Sequence, residues 1–301
     1  NKNGSILLTE DEVLHSTIEC LTQHIPLETS GAFNSHELFQ LLVRAACNCD
    51  SIENTAKGFK QSPCGKTIRY HFNKINDFSE LESQLNTALL SQVLPRIRKG
   101  KLKLAIDLNL IPYYGQPSEE EKPYIYRSQA KQGTCSFYAY ATLYVIKKGK
   151  RLTLAIKGVK PTDTSVAIIT HLLDKIAPLN VNIKTLYLDR GFFSISVIRW
   201  LKALEIPFII PAIRRGKKGG IKQFLQGRKS YTTSYTMRNN QGDSVEFDLW
   251  IICRYRKGKM NKRGIEYFPY VVFKPSVNLT SIHDDYRRRF GIESSYRIKN
   301  L

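Results

Sequence analysis

The sequence predicts a mixed α/β sheet flanked by helices, with a helical N-terminal domain ahead of it and a β-rich insertion late in the chain. Three observations predict it. Residues 9–99 carry apolar side chains at helical spacing; from Lys103 the texture changes to short apolar or alternating runs; from Thr164 helical and strand-like segments alternate. An antiparallel meander followed by α/β crossovers builds one mixed sheet covered by helices. With 301 residues, 42% of them hydrophobic, the chain can bury such a core unaided.

The N-terminal region reads as helices over Glu10–Leu27 and Ser35–Cys47, then a short one over Ser51–Lys57 that ends at Gly58. After Ser62-Pro63-Cys64-Gly65 a further helix runs through Thr67–Phe72. Helix, tight turn and helix, with Lys66, Arg69 and Lys74 on the second member, fits a helix-turn-helix DNA reader; a plain helical bundle fits equally. A last helix, Ser79–Ile97, ends in the basic Arg96-Ile97-Arg98-Lys99-Gly100, which marks a domain boundary after residue 99.

Strands are expected over Lys103–Leu110, Ser136–Ile146 and Arg151–Ile156, the last two joined by the turn Lys148-Gly149-Lys150. A helix over Thr164–Ile176 is bracketed by Pro161 and Pro178. Ile183–Leu188 is a strand, Ser194–Leu204 a helix capped by Ser194, and Pro207–Ile210 a short buried strand. Residues 214–275 then break the pattern as a basic, aromatic-rich β insertion, and Ser281–Lys299 reads as a helix with Asp284 and Asp285 in its first turn. The mixed-sheet domain would therefore comprise 100–213 and 276–301.

Charge points to the partner. Lys and Arg number 46 against 26 Asp and Glu, a net +20, which favours a polyanion over a role in solubility alone. No apolar run approaches bilayer length and no signal-peptide pattern opens the sequence, so no membrane role and a reduced, intracellular setting are expected. The six cysteines form no framework. Cys20, His24, Cys47, Cys49 and His71 lack paired zinc spacing, and buried small cysteines account for them better.

Acids are scarce, so their positions carry information. Asp107 lies inside Leu104-Ala105-Ile106-Asp107-Leu108-Asn109, and Asp189 follows the apolar Leu186-Tyr187-Leu188. A carboxylate in such a run costs several kcal/mol unless paired or metal-bound. Each could merely cap a strand end. Two in this topology favour a site, and if their strands are neighbours the hard oxygens suit Mg²⁺ or Mn²⁺. Tyr286, Arg289 and Glu293 follow at i, i+3 and i+7, on one helix face, so a third carboxylate can join. No Walker-type loop competes: Arg215-Gly216-Lys217-Lys218-Gly219-Gly220 lacks the spacing and reads as a basic, DNA-facing turn.

Strand-borne Asp107, Leu188-Asp189-Arg190-Gly191-Phe192 and Tyr286-x2-Arg289-x3-Glu293 together resemble the DDE transposases of prokaryotic insertion sequences, in the group with a β-strand insertion before the last acid. In that group a Lys follows the Glu after six intervening residues. Here that slot is Asn300, with Lys299 one short. The resemblance spans residues 103–300 and implies an RNase H-like fold and metal-dependent cleavage and transfer of transposon ends. It implies two metal ions held by Asp107, Asp189 and Glu293, with Asp107 bridging. It further implies double-stranded DNA partners, both ends and target, a homodimer in the DNA complex, and a cytoplasmic, nucleoid-associated location in a prokaryotic host. Two other readings stand beside it: a nuclease or resolvase of the same fold that only hydrolyses, and a domesticated DNA-binding protein without catalysis. Candidate DNA contacts are Lys66, Arg69, Arg190, Lys217, Lys218, Trp250, Tyr286, Arg289 and Lys299. Trp250 either stacks on an unpaired base or fills the core of the inserted sheet, since alternation with Asp248 leaves its face undecided.

Overall fold

Capping chemistry sets the helix starts in the first part of the chain. The computed structural model describes residues 9–75, 77–93, 97, 100–147, 150–216, 219–256 and 264–290. They fall into two units, one carrying the helices up to Gln92 and one spanning Val93–Ile292. In the first, α1 (Glu10–His24) and α2 (Ser35–Asn48) each open with a reciprocal capping box, Thr9 with Glu12 and Asn34 with Glu37. Ser51 caps α3 (Ile52–Lys57) and Asp77 caps α5 (Phe78–Ser91). Such caps contribute about 1 kcal/mol each. α1 stops three residues before the expected Leu27, because Pro26 drives Ile25 out of the helical region to φ −118°, ψ 96°.

Ile18, Leu38, Phe39, Leu41 and Ile68 form the core of this unit. Ile68 and His71 anchor α4 (Gly65–Phe72) to it, leaving Lys66, Arg69 and Tyr70 exposed. At Gly65 the crossing of α3 and α4 is close: a Cβ there would lie 3.1 Å from the Glu53 Cα. Cys47, Cys49, Cys64 and Cys135 are exposed, which corrects the expectation of buried thiols.

The second unit is a nine-stranded mixed sheet in the order β2-β3-β1-β5-β6-β9-β8-β7, with β4 also on β3. The strands are β1 (Lys101–Pro112), β2 (Ile125–Lys131), β3 (Thr134–Lys147), β4 (Lys150–Val159), β5 (Asn182–Leu188), β6 (Phe208–Pro211), β7 (Tyr231–Arg238), β8 (Ser244–Tyr255) and β9 (Ile265–Phe273). β1, β5 and β6 run parallel at its centre; the remaining pairings are antiparallel. The mixed sheet flanked by helices is the architecture the sequence predicts. β2 was not expected. The late β-rich stretch continues the central sheet, because β9 pairs with β6.

Two faces result. Leu104, Ile106, Leu186 and Leu188 are fully buried on one. That face is covered by α6 (Ser165–Ile176), capped by Thr164, and α7 (Ile195–Ala203), capped as expected by Ser194. Phe193, just ahead of α7, meets Phe247 edge-on. The opposite face carries Lys103, Asp107, Tyr187 and Asp189, and receives α8 (Ile282–Arg287). The chain then tightens into a 3-10 turn, Arg288–Phe290, so an α-helix running unbroken from Ser281 is not what forms. Glu293, Lys299, Asn300, Lys217 and Lys218 lie outside the described residues.

Candidate active site

Parallel pairing of β1 with β5 brings the first two acids together. Ile106 is opposite Leu188, so the next residues, Asp107 and Asp189, lie side by side as β5 ends. Alternation points both at the face that α8 covers. There the Arg289 fork spans them: Nη1 donates to Asp107 Oδ1 at 3.1 Å and Nη2 to Asp189 Oδ1 at 3.3 Å. Arg289 is 2% exposed and Asp107 8%. Burial works against the Arg289 charge, but Tyr286, Asp107 and Asp189 more than reverse it and hold the guanidinium above its ordinary pKa.

Neighbouring tyrosines fix this fork. Tyr144 on β3 donates to the Arg289 carbonyl at 3.0 Å, and Tyr286 donates to the carbonyl of Leu188, the residue before Asp189, at 3.1 Å. The guanidinium also lies 5.3 Å from the Tyr286 ring centroid. Burial pushes the Tyr286 hydroxyl well above its ordinary pKa, so it stays a donor. Asn109, on the same face as Asp107, donates to Tyr140 across the β1–β3 pair.

Beside Asp189 opens a cleft of about 1090 Å³ with Arg190, Arg214, Arg254 and Arg287 on its walls. Burial, and then the adjacent Arg190, hold Arg214 below its ordinary pKa. Phe268, Tyr270 and His283 supply aromatic surface, with His283 Nδ1 2.8 Å from the Tyr270 hydroxyl. Burial, then Arg254, lower His283 to about 4, so it is neutral at pH 7. Trp250 pairs across to Tyr270, which sets it on this same face rather than the α7 face, and it is half-buried.

Sequence reasoning missed Lys103, Asp285 and Tyr187, while Arg214 and Arg254 were expected only as part of the basic insertion. Asp284 and Asp285 were expected to serve the helix dipole. Instead Asp284 pairs with Arg254 at 2.6 Å, and Asp285 turns inward to Lys103 and Tyr187. A charged Lys103 one stretch before Asp107 in an apolar strand was the available signal. In the separate helical unit, Lys66 and Arg69 share the exposed side of α4, with Arg69 3.6 Å from Glu53 and Lys74 5.0 Å from the Tyr70 ring.

Residues 98–301 match the family of the transposase DDE domain. Among solved structures the chain is similar to a piggyBac transposase, determined by cryo-electron microscopy as a synaptic complex with hairpin DNA: TM-score 0.55, 11% identity, 95% of this chain and 63% of that one. The likeness at that identity is one of fold. The chain spans under two thirds of that transposase. No curated protein matches. Among the described residues no helix is long and apolar enough to cross a membrane.

Proposed function

Because the chain belongs to the DDE transposase family, we propose that it cleaves and joins DNA strands at the ends of a mobile element, with Asp107, Asp189 and Glu293 as its catalytic acids. One observation carries the reading: two carboxylates from neighbouring parallel strands converge on one cationic fork beside an arginine-lined cleft. Open α/β sheets hold their ligands at such strand ends.

The donor set fits a divalent cation. Asp107 and Asp189 offer hard oxygens on one side of the sheet and already bind a positive group between them. Mg²⁺ or Mn²⁺, as two ions with Glu293 completing the set, would activate the attacking hydroxyl and stabilise the leaving oxygen. Asp107, the more buried acid, would bridge. Arg289 keeps the two like charges together and would contact the scissile strand once DNA is bound. Tyr286 holds the backbone next to Asp189 in place.

The cleft suits a phosphodiester backbone, with Arg190, Arg214 and Arg254 for phosphates and the aromatic rings for a base. Trp250 shares this face, which supports stacking over the alternative of a core residue. Lys217, Lys218 and Lys299 are proposed as further contacts. Residues 1–99 would bind element ends through Lys66 and Arg69 on α4, as a domain distinct from the catalytic segments 100–213 and 276–301 and the insertion 214–275. Double-stranded ends and target, a homodimer on DNA and a nucleoid location in a prokaryotic host complete the proposal.

Incubating the protein with a labelled element end, a target plasmid and Mg²⁺ or Mn²⁺ tests it. Joined product is expected. Nicks alone would mark a hydrolytic nuclease, and retardation alone a binding protein. Asp107→Ala, Asp189→Ala and Glu293→Ala should each lose cleavage by orders of magnitude and still bind DNA; near wild-type cleavage by one removes that residue from the site.

A further inference from the structure

The strand β1 that carries Asp107, and the elements β5 and α8 that lead directly into Asp189 and Arg289, are tied together a second time. Lys103 Nζ on β1 lies 2.5 Å from Asp285 Oδ1 on α8, and the Tyr187 hydroxyl on β5 donates to Asp285 Oδ2. Lys103 is four residues before Asp107, Tyr187 two before Asp189 and Asp285 four before Arg289, so each sits on the face of its catalytic-level neighbour. Asp285 is 6% exposed and Tyr187 fully buried. From the solvent side Arg288 adds a looser contact to Asp285 at 3.6 Å.

The polarity of the two levels is opposite. At the site the sheet is negative and the helix positive; one turn back, the sheet is positive and the helix negative. A one-turn slip of α8 in one direction would set Asp285 against Asp107 and Asp189, and a slip in the other would set Arg289 toward Lys103. Both are like-charge contacts in a place with little water, where they are least screened. Burial alone is a weak guide to the register, because Ile282 and Tyr286 are both buried and recur at the same spacing; the Tyr286 hydrogen bond to Leu188 and the charged group both favour the observed one.

We propose that Lys103, Asp285 and Tyr187 are positioning residues that set the register of α8 and so deliver Arg289 to the two acids; the catalytic part of this rests on the function proposed above. The test uses the full chain in two backgrounds, Tyr187→Phe and the apolar pair Lys103→Met with Asp285→Leu. Buried ion pairs can be replaced by apolar pairs without loss of folding, so the second is expected to fold, melting below wild type by the part of the Arg289 contribution it loses. In each background Arg289→Met is added and the melting temperature read again. If the group sets the register, the shift caused by Arg289→Met shrinks to less than half in the apolar pair and shrinks measurably in Tyr187→Phe. An undiminished shift in a folded background overturns the proposal, and Tyr187→Phe, which deletes one hydroxyl, decides alone should the apolar pair not fold.

This cycle reads folding only, so it separates failure of the register from failure of the catalytic assignment. The second readout is single-turnover cleavage at saturating DNA. Misplacement by about 1 Å costs on the order of 100-fold, the loss expected for the apolar pair at unchanged DNA affinity. About tenfold is expected for Tyr187→Phe. Wild-type cleavage by either folded variant would also overturn the proposal.

Discussion

Replacing Arg289 with Met keeps an unbranched apolar stem and deletes the fork between the acids. Two contacts are lost, and they differ. The Asp107 carboxylate is 12% exposed, so its half is a buried pair, and stripping one partner from such a pair costs about 3–5 kcal/mol. The Asp189 side chain is 46% exposed, so water screens its half to about 0–1 kcal/mol. A loss of about 4 kcal/mol lowers the melting temperature of a unit of roughly 200 residues by about 8–16 °C. Differential scanning calorimetry measures it. Arg289→Lys, which keeps the charge but not the fork, should fall between. Added Mn²⁺ should restore part of the loss in Arg289→Met, since a divalent cation can stand between the carboxylates. A variant that melts within about 2 °C of wild type without metal would refute the electrostatic reasoning, because the acids would then lie together without needing the guanidinium.

Replacing Lys66, Arg69 and Lys74 together by Ala should weaken binding to an element end and reduce its salt slope by about three units, one per phosphate contact. Unchanged affinity and slope would remove α4 from the DNA interface. Trp250→Ala should leave the fold intact yet reduce unstacking of a terminal 2-aminopurine, read by fluorescence. Equal unstacking would return Trp250 to a packing role. His283, held near 4 by burial, stays neutral in the folded chain while its unfolded counterpart protonates from about 6.5 downward. Its contribution is therefore present above pH 6.5 and is lost as the pH falls toward 4, by about 3 kcal/mol. His283→Gln should lose less stability than wild type across that window, and equal slopes in pH-dependent denaturation would contradict the assignment.

Legibility in the sequence followed burial. β1 and β5 are central and covered on both faces, so they read as apolar runs in which Asp107 and Asp189 stood out. β2 is Ile-Tyr-Arg-Ser-Gln-Ala-Lys, mostly exposed, and is held as a strand by its pairing with β3 rather than by its own composition. The pairing of β9 with β6 joins residues some 60 apart, and no local pattern announces it. Helix phase placed Tyr286 and Arg289 on one side, but phase says nothing of what they meet. Only the sheet register shows that Arg289 reaches both acids and that Asp285, an apparent dipole partner, turns inward to Lys103.

The Arg289 fork also orders events in time. Its partners precede it by 182 and 100 residues. At a synthesis rate of about 5–20 residues per second, Asp189 leaves the ribosome about 5–20 s before Arg289. Through that interval β1 and β5 can pair only by setting two carboxylates together without their counter-cation, which works against closing the centre of the sheet. The arriving α8 relieves that repulsion, so the nascent chain gains its acid pair and the residue that governs it in one late step.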